Sequence, residues 1–375
     1  MAQEDFVKGL EGVLAAQSSI CFIDGAAGRL TYRGIDIQDL AEHSTFEETA
    51  FFLLFGHLPK QAELDAFIAQ LQAERGVPDE IYALMRGLPK DATPMEVLRT
   101  ATSALSMYDA DGHDNSDAAN VRKAVRLIAQ MTTLTTAYDR IRRGLEPVQP
   151  DNSLTMAESF LYGLTGEKPH PSSARVFDVC LILHADHELN ASTFAARVIA
   201  STLSDVHAAA TGAIGALAGS LHGGANQRVL EMLLEIGELD KVDAYVDDLF
   251  TNKKKIMGFG HRVYRTMDPR ATVLRKFAKK LGEDIGNPKW YQMAERIETL
   301  AFEKKKLYPN VDFFSAPVFY TQQIPVDLFT PIFACSRISG WMAHTVEQLR
   351  DNRLIRPLAF YTGEEKMEYT PIADR

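Results

Sequence analysis

Ser220-Leu221-His222-Gly223-Gly224-Ala225-Asn226 sets a histidine and two glycines directly before a run whose apolar residues, Val229, Leu230, Met232, Leu233 and Ile236, recur at helical spacing. Downstream, Lys253-Lys254-Lys255-Ile256-Met257-Gly258-Phe259-Gly260-His261-Arg262-Val263-Tyr264 leads through Arg265 to Asp268-Pro269-Arg270. Between Lys253 and Lys280 stand ten Lys or Arg and one acid, Asp268, whereas the whole chain carries 40 Lys and Arg against 50 Asp and Glu. This local reversal of sign points to an anionic ligand. Two glycine-flanked histidines add groups that exchange protons near neutral pH.

Outward from this stretch nearly every segment reads as helix. Ser44 with Glu47, Thr93 with Glu96 (and Pro94 at the first helical position), and Thr155 with Glu158 form three capping-box patterns, each before an apolar-periodic run. Leu64, Phe67, Ile68 and Leu71 mark one buried helix face, and Val121, Val125 and Ile128 begin a longer helix reaching about Gly144. Further helices are expected over 172–185, 191–203, 206–220, 225–237, 242–252, 270–281, 289–307 and 327–350. The exception lies near the N-terminus, where Ile20 to Ile23 and Arg29 to Tyr32 flank Asp24 to Gly28 as a short hairpin. The expected class is all-α with one short N-terminal β-hairpin. No repeat of 20 to 50 residues indicates a solenoid, and no linker rich in Gly, Ser or Pro divides the chain.

A chain of 375 residues, 46% hydrophobic and 24% charged, can bury a large core as one domain or two unequal ones. Glu4 and Asp5 stand where an export signal needs lysines and a long apolar run, and no apolar segment reaches membrane-span length. Val206 to Leu221, rich in Ala and Gly, reads as a buried helix packed closely on a neighbour, in this chain or in a second subunit. The three cysteines, Cys21, Cys180 and Cys335, lie far apart in apolar sequence and suit a reducing compartment. A cytoplasmic location is therefore expected, with neither membrane nor nucleic acid as partner, and the acceptor-like Asn190-Ala191-Ser192 is idle there.

Individual residues carry two readings each. His222 either caps backbone groups at a helix start or, kept neutral by the positive helix end, offers an N–H to a developing enolate while Gly223 and Gly224 admit a ligand. His261 sits in a glycine-rich loop that is not the dinucleotide pattern, although neighbouring lysines and arginines could gather phosphates. Asp312, in Tyr308-Pro309-Asn310-Val311-Asp312-Phe313-Phe314-Ser315, is either a turn former or an acid whose apolar frame raises its pKa and makes it a better base. His184-Ala185-Asp186-His187-Glu188 could bind a metal, but its spacing fits neither familiar zinc pattern, and a substrate-binding histidine fits better. Arg337 and Arg356, both in apolar sequence, each need an anion partner.

Together these segments resemble the citrate synthase family over nearly the whole chain. The motifs stand in the family's order: Ile23-Asp24-Gly25 with Tyr32-Arg33-Gly34-Ile35, His184 to Thr193, Leu221 to Asn226, Gly258 to Arg270, Val311 to Phe314, and Ser336 to Gly340. The resemblance implies a two-domain helical homodimer, with residues 1–220 and 316–375 as the large, dimer-forming domain and 221–315 as the small one. It implies an acyltransferase that condenses acetyl-CoA with oxaloacetate and water to citrate and CoA, with no permanently bound cofactor and no metal. By position His222 looks like the enol-stabilising residue, Asp312 like the base and His261 like the acid. His187, Arg270 and Arg337 look like oxaloacetate ligands, with Arg356 supplied by the other subunit. Lys255, Ile256, Met257, Gly258 and Gly260 look like the CoA contact. The family also contains 2-methylcitrate synthases, which use propionyl-CoA and share these motifs. A metal-dependent hydrolase using His184, His187 and Glu188 is the alternative from another class, and a non-catalytic helical protein fits the acids, bases and ligands present poorly.

Overall fold

The computed structural model describes residues 6–375, and among them sixteen α-helices accompany a single three-stranded sheet. Strands β1 (Cys21–Asp24), β2 (Arg29–Tyr32) and β3 (Ile35–Asp36) are antiparallel in that order, with Cys21 opposite Tyr32 and Tyr32 opposite Ile35. The expected hairpin is present, its turn drawn in by Asp24, whose Oδ1 accepts from the backbone N–H groups of Ala26 and Ala27. The third strand was not expected. Arg33 and Gly34 both take positive φ, 46° and 90°, the conformation that reverses a two-residue hairpin. The Arg33 guanidinium holds this turn by donating twice to Leu53 O, at 3.0 and 2.7 Å.

The helices are α1 (Ile37–His43), α2 (Phe46–Phe55), α3 (Gln61–Ala73), α4 (Asp79–Gly87), α5 (Pro94–Leu105) and α6 (Asp117–Arg142). They continue as α7 (Met156–Thr165), α8 (Pro171–His184), α9 (Ala191–Ser201), α10 (Val206–Leu217) and α11 (Ala225–Ile236). The chain then forms α12 (Val242–Thr251), α13 (Pro269–Asp284), α14 (Lys289–Lys305), α15 (Val311–Thr321) and α16 (Phe329–Arg350). Capping boxes start α5 at Thr93 and α7 at Thr155, as their spacing predicts.

The pattern at Ser44 fails. Thr45, one residue later, caps α2 by accepting from Glu48 N–H, while Glu47 turns inward, 2% exposed, and accepts at 2.7 Å from the backbone N–H of Met156 that opens α7. A carboxylate drawn into the core serves the start of another helix instead of its own. The stretch read as a turn around Asn310 and Asp312 is the beginning of α15: the Asn310 side chain accepts from Asp312 N–H, and the helix runs on through Pro317. Apolar residues on all its faces hide the helical period there, and this helix crosses the expected domain border at 315/316 without a break.

Helix α16 is buried along most of its length and packs against α2, α6, α8, α9 and α10. At Gly340 a Cβ would stand 2.3 Å from Ala185 O and 2.4 Å from Asp186 Oδ2, so glycine lets α16 press against the segment after α8. That approach brings Arg337 beside His184 and His187. No helix among the described residues is long and apolar enough to cross a membrane. Beyond α16 the chain carries no further α-helix or strand, and Leu358, Tyr361, Met367, Tyr369 and Ile372 are each more than 60% exposed. Replacement of Thr45 by Ala is expected to lower unfolding free energy by about 1 kcal/mol through the lost cap, measured by denaturant titration with an unchanged m-value.

Candidate active site

The site is assembled on Asp268, the residue before α13. Oδ1 accepts from Arg270 N and Nε, both at 3.0 Å, while Oδ2 accepts from Arg270 Nη2 at 2.8 Å and from the backbone N–H of Val311 at 3.1 Å. One carboxylate thus caps α13, orients a buried guanidinium and ties down the first turn of α15. Burial alone would raise its pKa, but the charge and hydrogen bonds of Arg270 outweigh that and hold it below the usual carboxylate range. A second set of ties joins the glycine loop to the approach of α15. Gly260 N–H donates to Tyr308 O, Asn310 N–H to Gly258 O, and Asn310 Nδ2 to Gly260 O. Gly258 has φ 78°, and a Cβ there would come within 2.6 Å of Val229 and 2.9 Å of Phe313. The loop is therefore packed tightly at Gly258, whereas at Gly260 a Cβ would meet nothing within 4 Å.

Three histidines converge here, and their partners assign their protons. His222 Nε2 accepts from the backbone N–H of Ser192 at 3.3 Å, a group that can only donate, so its proton lies on Nδ1. Ser192 Oγ lies 2.8 Å from the same nitrogen and accepts from the indole N–H of Trp341. His261 is the mirror case: its Nδ1 accepts from the backbone N–H groups of Val263 and Tyr264, at 3.0 and 3.3 Å, leaving the proton on Nε2. His187 stands beside it, ring centroids 5.3 Å apart, with Nε2 3.2 Å from the Tyr264 hydroxyl. Burial, then the charge of Arg337, lowers His222 to about 4; burial, then Arg270, lowers His261 to about 4 and drives His187 well below its ordinary value. All three are neutral at pH 7.

Asp312, at the second position of α15, accepts no hydrogen bond on its carboxylate from any described residue, and burial pushes its pKa up to about 6 against the opposing charge of Arg270. Arg337, 1% exposed, donates through Nε to His184 O at 2.7 Å and has no carboxylate in ion-pair range among the described residues. A buried guanidinium without a counter-charge is a prepared anion site. Its charge contributes at His187, His222 and Asp312, after burial in each case. Beside the glycine loop a cleft of about 450 Å³ is lined by Arg228, Met232, Tyr245, Lys254, Lys255 and Met257.

Residues 9–358 match the family described as citrate synthase, C-terminal domain. The citrate synthase of Haloferax volcanii is 50% identical over 98% of both chains, and the 2-methylcitrate synthase of Shewanella oneidensis is 42% identical over 98% of this chain and 97% of that one. Citrate synthase from Thermoplasma acidophilum, solved as a ternary complex with carboxymethyl coenzyme A and oxaloacetate, superposes with a TM-score of 0.89 at 34% identity, covering 98% of this chain and 99% of that one. This chain belongs to the citrate synthase family.

Within that family frame, the structure gathers His187, His222, His261, Arg270, Asp312 and Arg337, while Arg356 stays apart, exposed and without hydrogen bond or ion pair among the described residues. Lys255 and Met257 line the cleft, whereas Ile256 is buried and Gly258 is packed against Val229 and Phe313. The metal-hydrolase alternative lacks a ligand set. His184 Nδ1 is bonded to Cys180 O, His187 Nε2 to Tyr264, and no group of three or more His, Cys, Asp or Glu among the described residues is placed to hold a metal ion. Sequence reasoning missed Ser192, Tyr264, Asp268 and Arg228 as parts of the site. Only Asp268 carried a signal, being the lone acid in a basic stretch.

Because Asp312 must be ionised to accept a proton and titrates near 6, kcat/KM for the thioester substrate is expected to fall about tenfold per pH unit below pH 6. His222 and His261, near 4, and His187, held well below its ordinary value by burial and then Arg270, add no limb between pH 6 and 8. A pH–rate profile from pH 5 to 9 checks both points.

Proposed function

We propose that this chain condenses acetyl-CoA with oxaloacetate and water to give citrate and free CoA. The observation that carries the reading is Asp312, a raised and unpartnered carboxylate among neutral N–H donors and a buried arginine lacking a counter-ion. Asp312 removes a proton from the acetyl methyl, and His222 Nδ1–H stabilises the oxygen of the resulting enol. The enol carbon attacks the oxaloacetate ketone carbon, and the ketone oxygen takes a proton from His261 Nε2. Water then cleaves the citryl thioester, releasing CoA as the thiol. His187, Arg270 and Arg337 bind oxaloacetate, whose two carboxylates suit the arginines. The cleft beside Lys255 and Met257, whose lining carries Arg228, Lys254 and Lys255 together with Glu231 and Glu235, is the site for CoA, a substrate and not a resident cofactor, with the three cations available to its phosphates.

Residues 221–315 form the smaller domain in this reading, closing on oxaloacetate to exclude water from the thioester. Pro317 removes one hydrogen bond inside α15 and gives the border a place to bend. In purified protein, thiol release with oxaloacetate is expected to favour acetyl-CoA over propionyl-CoA by roughly 10 to 200-fold in kcat/KM, the discrimination one methylene affords. Equal values or a propionyl preference establish the 2-methylcitrate reaction, which the Shewanella relative favours as the second reading. Asp312→Asn should reduce turnover by about 100-fold or more while oxaloacetate still binds; turnover within tenfold of the parent removes Asp312 from the role of base.

The functional unit in this reading is a homodimer. Support comes from the exposed apolar residues Phe6, Val7, Leu10 and Leu14 at one end of the chain and those beyond Arg350 at the other, with Phe6 stacked on Phe360. Arg356 lies on that second segment and serves the opposite subunit's oxaloacetate. Mixing Arg356→Ala with Asp312→Asn homodimers, each nearly inactive, is expected to give each hybrid about half of a wild-type dimer's activity, and an equal mixture after random exchange roughly a quarter of the wild-type activity, since one hybrid site carries both changes and the other neither. No recovery after confirmed subunit exchange places Arg356 in its own subunit's site.

A further inference from the structure

We propose that Tyr264 is a positioning residue that sets the proton of His187 on Nδ1, and this rests on the reading of His187 as an oxaloacetate ligand. Tyr264 is 4% exposed, and its hydroxyl has one hydrogen-bond partner among the described residues, His187 Nε2 at 3.2 Å. Its ring lies against His261, centroids 4.7 Å apart, with the Arg270 guanidinium 6.0 Å from its centre. A phenol is the stronger donor and an imidazole nitrogen the stronger acceptor, so the O–H donates to Nε2 and the imidazole proton resides on Nδ1. The opposite arrangement would turn a lone pair of His187 toward a substrate made of carboxylate and ketone oxygens, all acceptors. Protonating both nitrogens is closed off by burial and by the nearby charges of Arg270 and Arg337.

The three site histidines then follow one rule. Each has one nitrogen held as an acceptor by a protein donor and presents the other as an N–H. Backbone groups supply the donor for His222 and His261, where no change confined to a side chain removes it. For His187 the donor is a side chain. Tyr264 also contributes its own backbone N–H to His261 Nδ1, so one residue orders two neighbouring imidazoles.

Tyr264→Phe deletes a single oxygen and keeps the ring contacts. In ligand-free wild-type protein, imidazole nitrogen NMR, with the His187 signals assigned from His187→Gln, is expected to show the proton on Nδ1 and a bare Nε2. In Tyr264→Phe the signals shift toward the Nε2-protonated form, and KM for oxaloacetate rises by about tenfold, the loss of roughly one hydrogen bond. KM for acetyl-CoA stays within about twofold, because the change acts through the oxaloacetate ligand alone. In a His187→Gln background the Tyr264→Phe change adds nothing further. A wild-type Nε2-protonated His187, or an equal KM increase in both backgrounds, overturns the proposal. The wild-type spectrum decides the matter by itself if Tyr264→Phe does not fold. Absence of thiol release from the wild type defeats the functional reading while leaving the proton's position measurable.

Discussion

The Asp268 carboxylate is the constraint on which the site depends. It is 1% exposed, yet it stays charged because its four hydrogen bonds come from a buried guanidinium and two helix starts. Removing a charge of this kind from a buried pair costs about 3 to 5 kcal/mol, since the partner is left uncompensated. The same atoms set the spacing between α13, which carries Arg270, and α15, which carries Asp312. Stability and catalytic geometry therefore share one group.

Electrostatics divide the remaining roles. Arg270 has its counter-charge in Asp268, whereas Arg337 has none in ion-pair range, so in the proposed reaction Arg337 is the guanidinium left for a substrate carboxylate. Unbalanced positive charge also explains the histidines. An imidazolium beside Arg270 or Arg337 would be both desolvated and repelled, so these rings act by sharing an N–H with developing negative charge. Asp312 answers the opposite demand: burial raises it toward neutrality, which makes it a stronger base once ionised.

Packing makes this arrangement possible at two glycines. Gly340 lets α16 approach the segment from Ala185 to Asp186, and Gly258 lets the histidine loop lie against Val229 and Phe313. Both close approaches join parts of the chain that are remote in sequence. Between them they bring Arg337 from one side and His261 from the other to the same space.

Local chemistry is legible in the sequence because it depends on neighbours along the chain. Thr93 and Thr155 announce their helices, the run of three lysines and the two glycines before His261 point to an anion loop, and the motif order identifies the family. Long-range pairing is not legible in this way. Glu47 caps α7 across 109 residues, Ser192 turns the proton of His222 across 30, and Tyr264 reaches His187 across 77. In each case the residue type permits several partners, and burial selects one by leaving a polar group no water to bond instead. The sequence by itself determined which groups are present and most of the helices that carry them, the helix of Asp312 excepted. Only the tertiary structure decided which nitrogen of each histidine holds the proton, because that choice belongs to the donor packed against it.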